Sequence, residues 1–106
     1  SDAEVVRRMQ KHVNKGNAEA QLVLGDSYSK GDLGLKQNFE RGSQLYERAA
    51  AQGNAEAQTE FGHCYEVGKG VKIDYKTAAL WYRRAAEQGL SAAQHNLGLM
   101  FYEGQG

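Results

Sequence analysis

A six-residue phrase returns along the chain at a spacing close to 36 residues. Gly16-Asn17-Ala18-Glu19-Ala20-Gln21 lies over Gly53-Asn54-Ala55-Glu56-Ala57-Gln58, and Gly89-Leu90-Ser91-Ala92-Ala93-Gln94 lies over both. The intervals are 37 residues from Gly16 to Gly53 and 36 from Gly53 to Gly89. Self-similarity at such a period marks a solenoid, in which each unit buries its apolar face only against its neighbours. No single residue constrains the fold as much.

Other landmarks keep the same register. Nine residues after each starting glycine stands Gly25, Gly62 or Gly98, preceded by Leu24, Phe61 or Leu97. Three residues later comes an aromatic, Tyr28, Tyr65 or Phe101, and then Gly31, Gly68 or Gly104. A polar capping residue follows, Asn38 or Asp74. The second half of the unit carries Leu45-Tyr46 or Trp81-Tyr82, then Ala49-Ala50 or Ala85-Ala86, and closes on Gln-Gly. The one extra residue of the first copy falls between Gly31 and Leu35, where a loop absorbs it. On Ala57, Phe61-Gly62, Tyr65, Gly68-Lys69-Gly70-Val71, Asp74, Ala78, Trp81-Tyr82, Ala85-Ala86 and Gly89 the chain resembles the Sel-one-like repeat family, whose units are tetratricopeptide-like helical hairpins. The resemblance covers residues 16–106. It implies an all-α fold, a right-handed α-α superhelix of antiparallel hairpins, and a protein-binding scaffold.

The units are expected at 16–52 and 53–88, with a partial unit, its first helix only, at 89–106. Residues 1–15 read as a capping helix or half-repeat, since Val5, Val6, Met9 and Val13 share a helical face and Ser1 with Glu4 has capping-box spacing. Helices are predicted over about 18–30, 39–52, 55–67, 75–88 and 91–103. Asn17 and Asn54 suit the N-cap position, and at the third copy that role is expected of Ser91. A glycine in mid-helix costs roughly 1 kcal/mol against alanine. Three of them in register, Gly25, Gly62 and Gly98, predict close helix approach. Gly42 stands where Ala78 stands, so the second helix of the first copy should be the softer one. There is no proline and no period-two run long enough for a strand.

Thirteen basic and thirteen acidic residues cancel. No net field draws the chain to nucleic acid or to an anionic membrane. No apolar run approaches the roughly 20 residues of a membrane span. The opening Ser-Asp-Ala-Glu has no signal-peptide character and no initiator Met, so the chain reads as an excised fragment. Cys64 is the single cysteine, which excludes an internal disulfide and favours a reducing compartment such as the cytoplasm.

Candidates for chemistry are weak. His12, His63, His95 and Cys64 match no zinc spacing, and neighbouring His63 and Cys64 point about 100° apart on a helix. No orienting residue or oxyanion donor accompanies Cys64. Gly68-Lys69-Gly70-Val71 lacks the phosphate-loop spacing and reads as a turn between helices. Trp81-Tyr82 reads as core rather than as a stacking platform for bases. The expectation is therefore no catalysis, no metal and no cofactor.

The family resemblance implies that the first helix of each hairpin lines a concave groove. The positions left over from packing then form the candidate site. They are Glu19, Leu22, Asp26, Ser29 and Lys30; Glu56, Thr59, His63 and Glu66; and His95, Leu99, Tyr102 and Glu103. Five carboxylates here face one lysine, whereas the second helices carry Arg41, Arg48, Lys76, Arg83 and Arg84. The expected occupant is a protein or peptide segment with basic character. A second class of function is self-association, with a homodimer formed through the apolar stretch 97–102.

Overall fold

A computed structural model describes residues 1–105. Six helices follow one another: α1 (Asp2–Asn14), α2 (Ala18–Lys30), α3 (Phe39–Ala51), α4 (Ala55–Val67), α5 (Tyr75–Glu87) and α6 (Ser91–Tyr102). The described residues contain no strand. Each helix packs on the next, so the molecule is an all-α helical-repeat solenoid measuring 45 × 24 × 18 Å.

The helix starts follow the sequence closely. Asn17, Asn38, Asn54 and Asp74 each accept a hydrogen bond at the side-chain oxygen from the backbone N–H three residues on, at 2.8–3.1 Å. This satisfies one of the amides that a helix leaves unpaired at its start. Ser1 caps α1 in the same way, accepting from the Glu4 N–H. The third copy departs from the expectation. Leu90 occupies the cap position of α6, and neither it nor Ser91 supplies a side-chain cap. Ser91 is already inside the helix, one residue too late.

Between the two helices of each hairpin the chain folds back on itself. The Asn38 N–H donates to the Tyr28 carbonyl at 2.8 Å and the Asp74 N–H to the Tyr65 carbonyl at 2.9 Å. The extra residue of the first loop is accommodated by Leu33, which takes φ 58° beside Gly34 at φ 74°.

The core is a row of small clusters rather than one centre. Val13, Leu24 and Leu45 join α1, α2 and α3. Leu22, Tyr46, Ala49, Ala50, Ala57, Phe61 and Cys64 join α2, α3 and α4. Ala78, Ala79, Tyr82 and Met100 join α5 and α6. Each large apolar side chain so buried contributes roughly 1.5–3 kcal/mol. Phe61 packs edge-to-face on Tyr65 and on Trp81, with centroids 5.0 and 5.3 Å apart. The Arg84 guanidinium covers the outer side of the indole. Trp81 therefore belongs to the packing, as the sequence suggested.

The mid-helix glycines divide two against one. A β-carbon on Gly25 would stand 2.9 Å from the Tyr46 ring, and one on Gly62 would stand 3.0 Å from the Tyr82 ring. A β-carbon on Gly98 would meet nothing within 4 Å. The expected close approach is thus absent at Gly98: α5 packs on α6, but no ring of a neighbouring helix reaches this position. Gly42 also differs from the simple expectation. Its missing methyl leaves the space that Ser29 fills, so the position is tightly occupied rather than merely soft.

Glutamines stitch the row together. The Gln52 Nε2 donates to Gln21 Oε1 at 2.8 Å, and the Gln88 Nε2 donates to Gln58 Oε1 at 2.9 Å. Gln58 in turn donates to the Ala50 carbonyl of the hairpin before it, and Gln94 donates to that of Ala86. Gln21 and Gln58 are buried, and a buried amide is tolerated only with such partners.

Candidate functional site

Helices α2, α4 and the start of α6 share one face. Between them lies a hollow of about 240 Å³, lined by Leu22, Asp26, Glu56, Thr59 and Glu60 with Leu90 and Ala92. Its surface is mostly apolar, and the charged groups on it are all carboxylates. Leu22 and Thr59 form the buried floor. The Thr59 hydroxyl is turned back to the Ala55 carbonyl at 3.0 Å, which leaves its methyl to the hollow.

Four of the predicted groove residues meet here: Leu22, Asp26, Glu56 and Thr59. The others do not line it. Glu19 lies towards the start of α2, where its Oε2 accepts from Asn54 Nδ2 at 3.5 Å. Lys30 is exposed at the end of α2, and His95 is exposed on α6. His63 is half-buried; burial first, and then the nearby Lys69, hold its imidazole below its ordinary range, so it is neutral at pH 7. Leu99 and Tyr102 are exposed at the far end of the row, Tyr102 at 91%.

Asp26 and Glu66 carry a second duty. The buried Tyr46 hydroxyl donates to Asp26 Oδ1 at 2.6 Å, and the buried Tyr82 hydroxyl donates to Glu66 Oε1 at 2.7 Å. Burial, and then these carboxylate partners, push both phenols far above their ordinary range. The two carboxylates are not equivalent in the repeat. Asp26 stands ten residues after its starting glycine and Glu66 thirteen after its own. One tyrosine position is thus served from two different turns of the first helix.

Sequence reasoning missed Glu60, Leu90 and Ala92. Glu60 was legible: it follows Glu56 by four residues, and such pairs share a helix face. Burial, and then the negative charge of Asp26, raise its carboxyl above the ordinary range, with Lys30 and Lys69 opposing and Glu56 adding to the effect. Leu90 was visible only as an oddity, an apolar residue where both other copies place the capping Asn.

The larger hollow, about 300 Å³, lies elsewhere, between α1 and α3, against Gln10, Arg41, Gln44, Leu45 and Arg48. Both arginines are already engaged. Arg41 stacks over the Tyr28 ring at 5.0 Å, and Arg48 Nη2 donates to the Val13 carbonyl at 3.3 Å. Cys64 is buried, and burial pushes its thiol up to about 11, so it is not the thiolate that a nucleophile requires. Among the described residues, no three His, Cys, Asp or Glu side chains stand close enough to share a metal ion. Nor is any described helix long and apolar enough to cross a membrane.

Comparison with known proteins agrees with the helical-repeat fold. Comparison with curated proteins gives no match. Among solved structures, a protective antigen present in uropathogenic Escherichia coli strains and displaying an SLR fold is 31% identical, with a TM-score of 0.95 over 98% of this chain. A Sel1 repeat protein from Oxalobacter formigenes is 35% identical, with a TM-score of 0.82 over 97% of this chain. The chain spans 22% of the first protein's length and 46% of the second's. The Sel1 repeat matches residues 18–54, 55–90 and 91–106. Stacked hairpins, capped starts and paired glycine–tyrosine contacts are thus what a 36-residue period builds here, and the chain belongs to the Sel1 repeat family.

Proposed function

We propose that the chain is a non-catalytic protein-interaction module that holds a partner segment against the face formed by α2, α4 and α6. Sel1 repeat proteins are generally protein-interaction scaffolds. The observation that carries the reading is the hollow on this face, apolar at its floor and walled by carboxylates. A rigid row of helices presents these groups without an ordering cost on binding, and the acids would steer and orient a basic partner.

Random-peptide display against the chain tests this reading. The enriched peptides should be basic with aliphatic residues, and Glu56→Lys should weaken them about tenfold or more. Equal affinity for the wild type and the variant would sink the groove assignment. Glu56 suits this test better than Glu66, whose reversal would also break the Tyr82 hydrogen bond.

The end of the row favours a second reading, self-association through 97–102. Leu99, Phe101 and Tyr102 are exposed, and Gly98 lies open beside them. An apolar surface of this kind is an association site. Light scattering should then show a mass that rises with concentration and is returned to that of a monomer by Phe101→Glu. A mass independent of concentration would exclude it.

A further inference from the structure

The hollow between α2, α4 and α6 has a feature that the packing of the repeat does not explain. Asn17 and Asn54 cap their helices at 2.8 Å, yet the third copy places Leu90 there and leaves α6 without a side-chain cap. Replacing a capping Asn by an apolar residue costs about 1 kcal/mol. What Leu90 supplies instead is an apolar wall, which with Ala92 closes the hollow opposite Leu22. A local rule broken without structural gain is expected at functional positions.

The same hollow gathers Asp26, Glu56 and Glu60 with no cation on its lining. Like charges on a half-desolvated surface raise one another's energy, and an incoming cation relieves it. The three carboxylates do not form a metal-binding group, and the apolar Leu22, Leu90 and Ala92 beside them suit a cation that carries an apolar stem. At about 240 Å³ the space is smaller than the roughly 300–1,000 Å³ of small-molecule sites and suits a single side chain.

We propose that this hollow is the anchor pocket of the groove and takes an arginine or lysine side chain of a basic peptide segment. The methylenes lie against Leu22, Leu90 and Ala92, and the charge lies among Asp26, Glu56 and Glu60. Long cationic side chains combine these two contacts, an apolar stem and a polar head. The proposal rests on the groove reading and narrows it to one side chain and six residues.

The test is an NMR titration of the chain with N-acetyl-argininamide, with the neutral isostere N-acetyl-citrullinamide as control. A ligand of this size should bind with a Kd of about 1 mM. The shifted amides should cluster around Asp26, Glu56, Glu60 and Leu90, and the citrulline compound should bind about tenfold more weakly. Glu60→Gln should reduce arginine affinity about fivefold. Leu90→Asn should do two opposite things: restore the cap and so raise the Tm, while weakening arginine binding about threefold. A residue kept for folding alone would not give that pair of signs. Shifts scattered over the surface, equal binding of citrulline, or indifference to Glu60→Gln would overturn the pocket. Displayed peptides that bind in a Glu56-dependent way while argininamide stays silent would remove the pocket and leave the groove. Argininamide binding at the hollow while no peptide is ever selected would remove the groove reading instead.

Discussion

Helices α4 and α6 share one pattern and have different fates. Both carry a large apolar residue, a glycine and then an aromatic at the same positions. In α4, Phe61 is buried, Gly62 sits under the Tyr82 ring, and Tyr65 is clasped edge-on by Phe61. In α6, Leu97 is half-buried, Gly98 faces open space, and Phe101 is 53% exposed. The difference lies in the neighbours. α4 has α3 on one side and α5 on the other, whereas among the described residues α6 packs chiefly on α5. In such a repeat the sequence of the first helix specifies which face it offers, and the helix that follows it decides whether that face is buried.

Glycine substitutions test this comparison most sharply. Gly62→Leu must drive a side chain into the Tyr82 ring and the Ala78 carbonyl, and overpacking of this kind costs about 3 kcal/mol or more. In a chain of this size that loss should abolish the cooperative melt seen by circular dichroism. A melting curve like that of the wild type would refute the close-packing account. Gly98→Ala should do the reverse. With nothing within 4 Å to collide with, it should raise stability by up to about 1 kcal/mol through helix propensity alone, read as a higher Tm. A fall in Tm would show that the space beside α6 is occupied in solution.

The smallest expected effect lies at the hollow. Glu60 has its folded pKa raised, chiefly by burial and then by Asp26. The folded chain therefore binds that proton more tightly than the unfolded chain, and stability declines as pH rises through the raised range. Glu60→Gln removes this loss. It should be more stable than the wild type at pH 7 by up to about 0.5 kcal/mol, because solvent screens the group. The advantage should vanish below the ordinary carboxylate range near pH 4.5. Denaturant titrations at the two pH values give both numbers, and a variant less stable at pH 7 would contradict the sign. Together with the arginine titration, this would show Glu60 serving binding at the expense of the free fold.

The repeat made the architecture legible. Periodicity, capping asparagines and Gly-Asn turns are local signals, and the helices start where those signals stand. Packing between the two helices of a hairpin was legible at Gly25 and Gly62, and misleading at Gly98. The candidate site was legible only in part. Leu22, Asp26, Glu56 and Thr59 follow from the family resemblance, which assigns the groove to the first helix, and from the positions left over from packing. The hollow they share also needs Leu90, whose position depends on how two hairpins stack. The Tyr46–Asp26 and Tyr82–Glu66 bonds were not readable, since the tyrosine keeps its register across the copies but its carboxylate partner does not. Such pairs depend on side-chain reach across a helix interface, and a one-dimensional pattern does not record that.

The glutamine bonds give the row a sense of direction. Gln52 donates back to Gln21, Gln58 back to Ala50, Gln88 back to Gln58, and Gln94 back to Ala86. Every one of these amide hydrogens points towards the earlier helix. A primary amide has a donor end and an acceptor end that are not interchangeable. A hairpin shifted out of phase would set two nitrogens or two oxygens face to face at a helix interface, and the interface at Gln58 is buried. Duplication of one whole 36-residue unit preserves the order at both new junctions. The array thus carries a parity check on its own growth: it can lengthen by complete copies, and it penalises every other increment.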